Sequence, residues 1–135
     1  MSACALCASK EESVLWRDER CRVIDVGDPD YPGYCRVIWN EHVREVSDLA
    51  VDDRHHMLDV VNAVEEAVRT VMCPDKINLA AFGNQVPHLH WHVIPRFSDD
   101  VHFPDAIWAA RRRDGRARPC DRAALVRELK RRLTE

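Results

Sequence analysis

Three histidines alternate with apolar residues along His88-Leu89-His90-Trp91-His92-Val93, and the run continues into Ile94, Pro95 and Arg96. In an extended strand, successive side chains point to opposite faces. One face would then carry three imidazoles, the other Leu89, Trp91 and Val93. The apolar face can join a core while the imidazoles meet in a cleft. Near neutral pH an imidazole can be a nucleophile, a proton carrier or a metal ligand. The plain alternative is a polar strand face that happens to be rich in histidine, but folding gives a strand no reason to choose that residue three times in register.

A second constellation lies near the N-terminus, where Cys4-Ala5-Leu6-Cys7 has knuckle spacing for a tetrahedral metal. Two thiolates need two further ligands, and spacing alone leaves an unliganded reduced pair or a redox pair open. No strand leads into the pair, which disfavours the redox reading. Cys21, Cys35 and Cys73 sit among apolar neighbours and read as small core residues.

The surrounding chain must hold these groups. Residues 13–16 and 20–26 read as extended pieces joined by a polar turn, and residues 27–33, with two prolines and two glycines, as a loop. Residues 34–39 are rich in strand formers. Met57, Val60, Val61, Val64, Ala67, Val68 and Val71 recur at helical spacing behind Asp52 and Asp53, which suit a helix N-terminus, and Pro74 ends that helix. Residues 76–82 read as a strand, 83–85 as a turn, and 86–94 as the histidine strand, closed by Pro95. Residues 97–119 look irregular. Asp121 is placed to cap a last helix with the apolar line Leu125, Val126, Leu129 and Leu133. The expectation is an α+β fold with a mostly antiparallel five-stranded sheet, a long central helix and a C-terminal helix.

The 135 residues suit one domain, and a net charge of −3 argues against an overall electrostatic grip on nucleic acid or membrane. No apolar run approaches the roughly 20 residues that span a bilayer. The first residues lack a basic segment followed by a secretory apolar core, so a cytoplasmic protein with reduced thiols is expected.

The triad run resembles the signature of the histidine triad (HIT) superfamily of nucleotide hydrolases and transferases. The likeness extends to the Asn78-Leu79 strand, the Asn84-Gln85 turn, the Ile94-Pro95-Arg96 exit and the Pro32-Gly33-Tyr34 turn into a strand ending near His42. It covers about residues 3–97, leaving 98–135 as an irregular segment plus a basic helix. The resemblance implies a homodimer paired through the long helix and a strand. It also implies attack of His90 on the α-phosphorus of a nucleotide, through a nucleotidyl-histidine intermediate, with His92 bonding a phosphate oxygen or the leaving atom.

Further roles follow from the same resemblance. Asn78 and Gln85 would contact phosphate and ribose, and Asn84 sits at a turn whose backbone N–H groups could face an anion; the plain alternative for each amide is turn-making or strand-end hydrogen bonding. Ile24 would lie against the base. The acidic or amide side chain by which several relatives hold the ribose falls on Val26, with Asp25 and Asp28 nearby. Asp25 is either a substitute after a small shift in register or an ordinary turn aspartate, and a second-shell histidine of relatives is Tyr34. A histidine at position 92 favours the hydrolase branches, since branches that transfer nucleotides between sugar phosphates carry glutamine there. Some relatives bind structural zinc through a set that corresponds to Cys4, Cys7, His42 and His88. No cofactor is expected for catalysis.

The substrate expected is a dinucleoside polyphosphate or related nucleotide. A nucleoside phosphoramidate, a binding module with little turnover and a zinc-stabilised scaffold are the alternatives. The arginines from Arg111 to Arg132 read as a solvated face paired with nearby acids rather than a nucleic-acid stripe.

Overall fold

The computed structural model describes residues 4–8 and 11–133. In chain order come strands β1 (Ser13–Arg17), β2 (Cys21–Asp25) and β3 (Cys35–Trp39), a 3-10 turn at Val46–Asp48, and helix α1 (Val51–Met72). Strands β4 (Lys76–Ala80) and β5 (His90–Arg96) and helix α2 (Arg122–Leu133) follow. All neighbouring strands are antiparallel, in the order β1-β2-β3-β5-β4. The fold is α+β, as the patterning implied.

Register decides which side chains share a face. His90 lies opposite Ile38, Trp91 opposite Val37, His92 opposite Arg36 and Val93 opposite Cys35. Val37 and Cys35 in turn face Val23 and Asp25 of β2. One face therefore carries Val23, Val37 and Val93, which pack in one cluster with Val60, Val61, Val64 and Val68 of α1 and Leu125 and Leu129 of α2. Burying such side chains is worth roughly 1.5–3 kcal/mol each, so this layer fixes the sheet against both helices. The opposite face carries Ile24, Arg36, Ile38, His90 and His92.

The helices end where their sequences say they should. Asp121 Oδ1 accepts the Ala124 N–H at 3.0 Å, capping α2. At the start of α1, Arg20 reaches Asp52 and Asp53 at 3.0 and 3.1 Å, tying the helix to the β1–β2 turn. At its far end Cys73 adopts a left-handed φ of 50° and returns its N–H to the Arg69 carbonyl, just before Pro74. Cys73 is thus an exposed cap rather than a core residue; Cys21 and Cys35 are buried.

Several boundaries differ from the sequence reading. The histidine strand begins at His90, not at residue 86, and His88 lies in a bend before it. It also runs through Pro95. The Arg96 carbonyl accepts from Asp75 on the β4 side, so the missing amide of Pro95 faces the other way, beyond Val93, the last residue paired with β3. β4 stops at Ala80, leaving Phe82 outside the sheet. His56 Nε2 lies 2.7 Å from Asp18 Oδ2. His102, to which the sequence assigned nothing, is buried against the Tyr31 hydroxyl at 2.7 Å.

The irregular segment after β5 is held by its arginines. Arg111 pairs with Asp30, Arg112 with Asp105 and Arg118 with Asp99, while Arg113 donates to the Asp100 and Phe103 carbonyls. The basic run is thus paired locally. Among the described residues, no helix is long and apolar enough to cross a membrane.

Candidate functional site

His90 Nδ1 lies 2.6 Å from the His88 carbonyl. A carbonyl only accepts, so Nδ1 carries the proton and Nε2 holds the lone pair. Burial pushes the His90 pKa below its ordinary value; the bond to the His88 carbonyl opposes this, and Arg36 adds to it. The ring is therefore a neutral base at pH 7, with its nucleophilic nitrogen fixed by the backbone.

His92 is arranged differently. Its Nδ1 lies 2.6 Å from the Tyr34 hydroxyl. Burial, with His90 and Arg36 adding to it, pushes its pKa down to about 4. Burial also raises the Tyr34 phenol, which keeps its proton. A phenol O–H donating to Nδ1 leaves His92 with Nε2–H as a donor for the cleft, without a full charge. The turn before Tyr34 makes this contact possible. Gly33 has φ +87°, and a Cβ there would lie 2.8 Å from Met72 Cγ.

The two rings are 4.9 Å apart and nearly perpendicular. They open on a hollow of about 430 Å³ whose walls include Leu6, Arg36, Asn84, Gln85, Val86 and Trp108. Trp108 stands edge to face with His92 at 5.0 Å and is stacked on Phe82 at 5.0 Å, both rings about half exposed. A second hollow of about 720 Å³, lined in part by Arg44 and Arg54, meets the first at Phe82, Gly83, Asn84 and His90.

The expected contact residues divide. Asn84 and Gln85 line the first hollow. Ile24 is buried against Ile38 and Leu6, behind the wall that Leu6 presents. Asn78 lines neither hollow; its Oδ1 accepts from Arg96 Nη1 at 2.7 Å, so it helps hold the end of β5. Asp25 does not enter the cleft. As the register partner of Cys35 it falls on the helix face, where it accepts the Gly27 N–H at 3.0 Å and lies 3.8 Å from Arg122. Sequence reasoning missed Arg36 and Trp108. Arg36 had a signal, a lone charge inside Cys-Arg-Val-Ile-Trp; Trp108 had none beyond being an aromatic in an irregular stretch.

Beneath the site, Arg96 and Asp100 form an ion pair at 2.9 Å, with both side chains almost fully buried. Burial alone would raise the Asp100 pKa; Arg96 and the N–H groups of Phe97 and Phe103 outweigh that and hold it at about 2.

Cys4, Cys7, His42 and His88 converge beside the cleft. His88 Nδ1 lies 3.3 Å from Cys4 Sγ, 3.4 Å from Cys7 Sγ and 3.1 Å from His42 Nδ1, and Cys7 Sγ lies 3.3 Å from His42 Nδ1. His88 Nε2 lies 2.6 Å from the Trp39 carbonyl, so Nε2 holds the hydrogen and Nδ1 turns a lone pair toward the other three donors. A tetrahedral ion about 2.3 Å from sulfur and about 2.0–2.1 Å from nitrogen separates its ligand atoms by roughly 3.3–3.8 Å. The spacing and the fixed tautomer both fit a metal.

The HIT domain model matches residues 8–99. No curated protein matches the chain. Among solved structures, a histidine triad protein from Marinobacter aquaeolei VT8 is 25% identical, with TM-score 0.71, covering 91% of this chain and 89% of its own. A histidine triad protein from Sinorhizobium meliloti 1021 is 23% identical, with TM-score 0.72 and coverages of 91% and 90%. A hypothetical histidine triad nucleotide-binding protein from Sulfolobus tokodaii is 19% identical, with TM-score 0.65 and coverages of 96% and 91%.

Proposed function

The chain belongs to the HIT domain family, and from that premise we propose that it hydrolyses a nucleotide at its α-phosphorus through a covalent adduct on His90. The observation that carries this reading is the bond between His90 Nδ1 and the His88 carbonyl. It leaves Nε2 unprotonated beside a hollow of substrate size. In the first step Nε2 forms a bond to phosphorus as the bond to the leaving group breaks. The ring becomes cationic, and the His88 carbonyl accepts from its Nδ1–H throughout. Water then adds to phosphorus, the N–P bond returns its electrons to Nε2, and a proton passes to solvent. One hard displacement becomes two easier ones.

His92 would donate Nε2–H to a phosphate or leaving-group oxygen. With its pKa near 4 it is neutral in the free protein at pH 7. A phosphoanhydride, such as a dinucleoside polyphosphate, whose leaving phosphate needs no proton to depart, is the substrate proposed, with a phosphoramidate as the second class. Asn84 and Gln85 would hold phosphate and ribose oxygens, and Leu6, backed by Ile24, would meet the base.

Zn2+ is the ion that Cys4, Cys7, His42 and His88 suit best. Bound there, it would supply a structural cross-link, fixing the N-terminal stretch to the bend that leads into β5. A homodimer through α1 and the outer strand β4 is supported by the exposed Leu58 and Leu79 on those two elements. The free thiols suit a reducing compartment such as the cytoplasm.

The test is incubation with diadenosine polyphosphates and adenosine phosphoramidate, reading released monophosphate, for the natural protein and His90→Ala. Release should vanish in the variant while nucleotide affinity survives, and rapid acid quenching should trap label on the natural protein alone. Retained turnover in His90→Ala would reject the mechanism. Preferred turnover of the phosphoramidate would move the substrate to the second class.

A further inference from the structure

Arg36 is the register partner of His92 and lines the same hollow as His90 and His92. Its Nε is buried and has no hydrogen-bond partner. Among the described residues no carboxylate pairs with it, whereas Arg20, Arg22, Arg96 and Arg118 each have one. Its cross-strand neighbours on the two sides are Ile24 and His92. The Tyr34 hydroxyl is its polar neighbour, and a half-buried guanidinium that has a neutral phenol but no carboxylate to offset its charge is costly unless an anion completes it.

We propose that Arg36 is the anion anchor of this cleft, a substrate-binding and catalytic residue that holds a non-bridging oxygen of the phosphoryl group on His90. The inference rests on the reading of the cleft as a nucleotide site and adds the group that neutralises the transferred phosphoryl. Arg36 is the one arginine among the residues that line the hollow holding both His90 and His92, so its permanent charge faces the place where a phosphoryl group on His90 would sit. As charge builds on the equatorial oxygens, a guanidinium already in place stabilises them without reorganisation. Its charge also stays constant across the physiological range, unlike that of a histidine.

The proposal is tested by calorimetric binding of AMP, GMP, adenosine, guanosine and inorganic phosphate to the natural protein, Arg36→Leu and Arg36→Lys. The natural protein should prefer each monophosphate to its nucleoside by at least about tenfold. Arg36→Leu should lose about 10- to 100-fold in monophosphate affinity with little change for the nucleosides. Arg36→Lys, which keeps the charge without the fork, should recover part of the loss.

A second readout separates anchoring from mere support of the fold. NMR titration should show the His92 pKa rising in Arg36→Leu, because a nearby cation has been removed. Equal losses for nucleoside and monophosphate in a folded variant would place Arg36 against the nucleoside and overturn the proposal. An unchanged monophosphate preference, or no binding of AMP, GMP or phosphate by the natural protein, would overturn it too. Since binding needs no turnover, these outcomes are distinct from failure of the hydrolase reading, which is judged by His90-dependent release.

Discussion

The Tyr34 hydroxyl and His92 Nδ1 meet at 2.6 Å, joining the residue just before β3 to the middle of β5. The contact fixes which nitrogen of His92 faces the cleft with a hydrogen. Tyr34→Phe keeps the ring and the packing but removes the O–H, so the two neutral tautomers of His92 become competitors. Losing one hydrogen bond of about 1 kcal/mol predicts a fall in kcat of about fivefold, with KM nearly unchanged. Nitrogen-15 NMR of the imidazole should show a mixed tautomer. An unchanged rate and spectrum would mean that the phenol does not orient the ring.

Stability should respond to pH through the same imidazole. Folding lowers the His92 pKa from 6.5 to about 4 through burial, helped by the charges of His90 and Arg36 that face it. Between those values the unfolded chain binds the extra proton. Stability from this group is complete above pH 6.5 and declines as pH falls toward 4. Thermal melts of the natural protein and His92→Gln at pH 7.5 and pH 5 should show the larger drop in the natural protein. Equal drops would remove His92 as the source.

Metal removal should be felt in the fold as well as the site. The four donors link the N-terminal stretch to the segment before β5, so Cys4→Ser or Cys7→Ser should abolish stoichiometric zinc. A strong chelator should lower Tm by about 10 °C, since a structural zinc site contributes several kcal/mol. Elemental analysis beside calorimetry checks both. Protein purified without chelator that contains no zinc would refute the expectation.

The Arg96–Asp100 pair is buried and shares Asn78 and the Asp105 carbonyl as further partners. Arg96→Ala leaves a carboxylate uncompensated in the interior, which should cost about 3–5 kcal/mol by urea denaturation. Replacing Asn78 by Ala removes only one neutral acceptor and should cost about 1 kcal/mol. A smaller effect for Arg96 than for Asn78 would contradict this ordering.

Periodicity exposed the large features. The valine spacing of α1, the cap at Asp121 and the alternation of His90, Trp91 and His92 each express one local physical rule, so a single chain suffices to read them. The Cys4, Cys7, His42 and His88 group was legible through resemblance, and the side chains do converge. What escaped depends on register between distant strands. Asp25 was offered either to the cleft or to the turn; its register partner Cys35 puts it on the helix face, where it serves the turn at Gly27, since a shift of one residue reverses a side chain. Arg36 was overlooked because nothing local reveals that its cross-strand neighbour is His92. Pro95 was read as a terminator, although a proline is harmless where the strand beside it has already ended.

Leu6 lies within the Cys4–Cys7 knuckle and also forms part of the wall facing the reactive imidazoles. Three consecutive peptide bonds therefore span both the candidate metal ligands and the wall of the hollow. If zinc fills the knuckle and a nucleoside the hollow, loss of the ion would loosen one side of the mould, and discrimination among nucleosides should fall along with it.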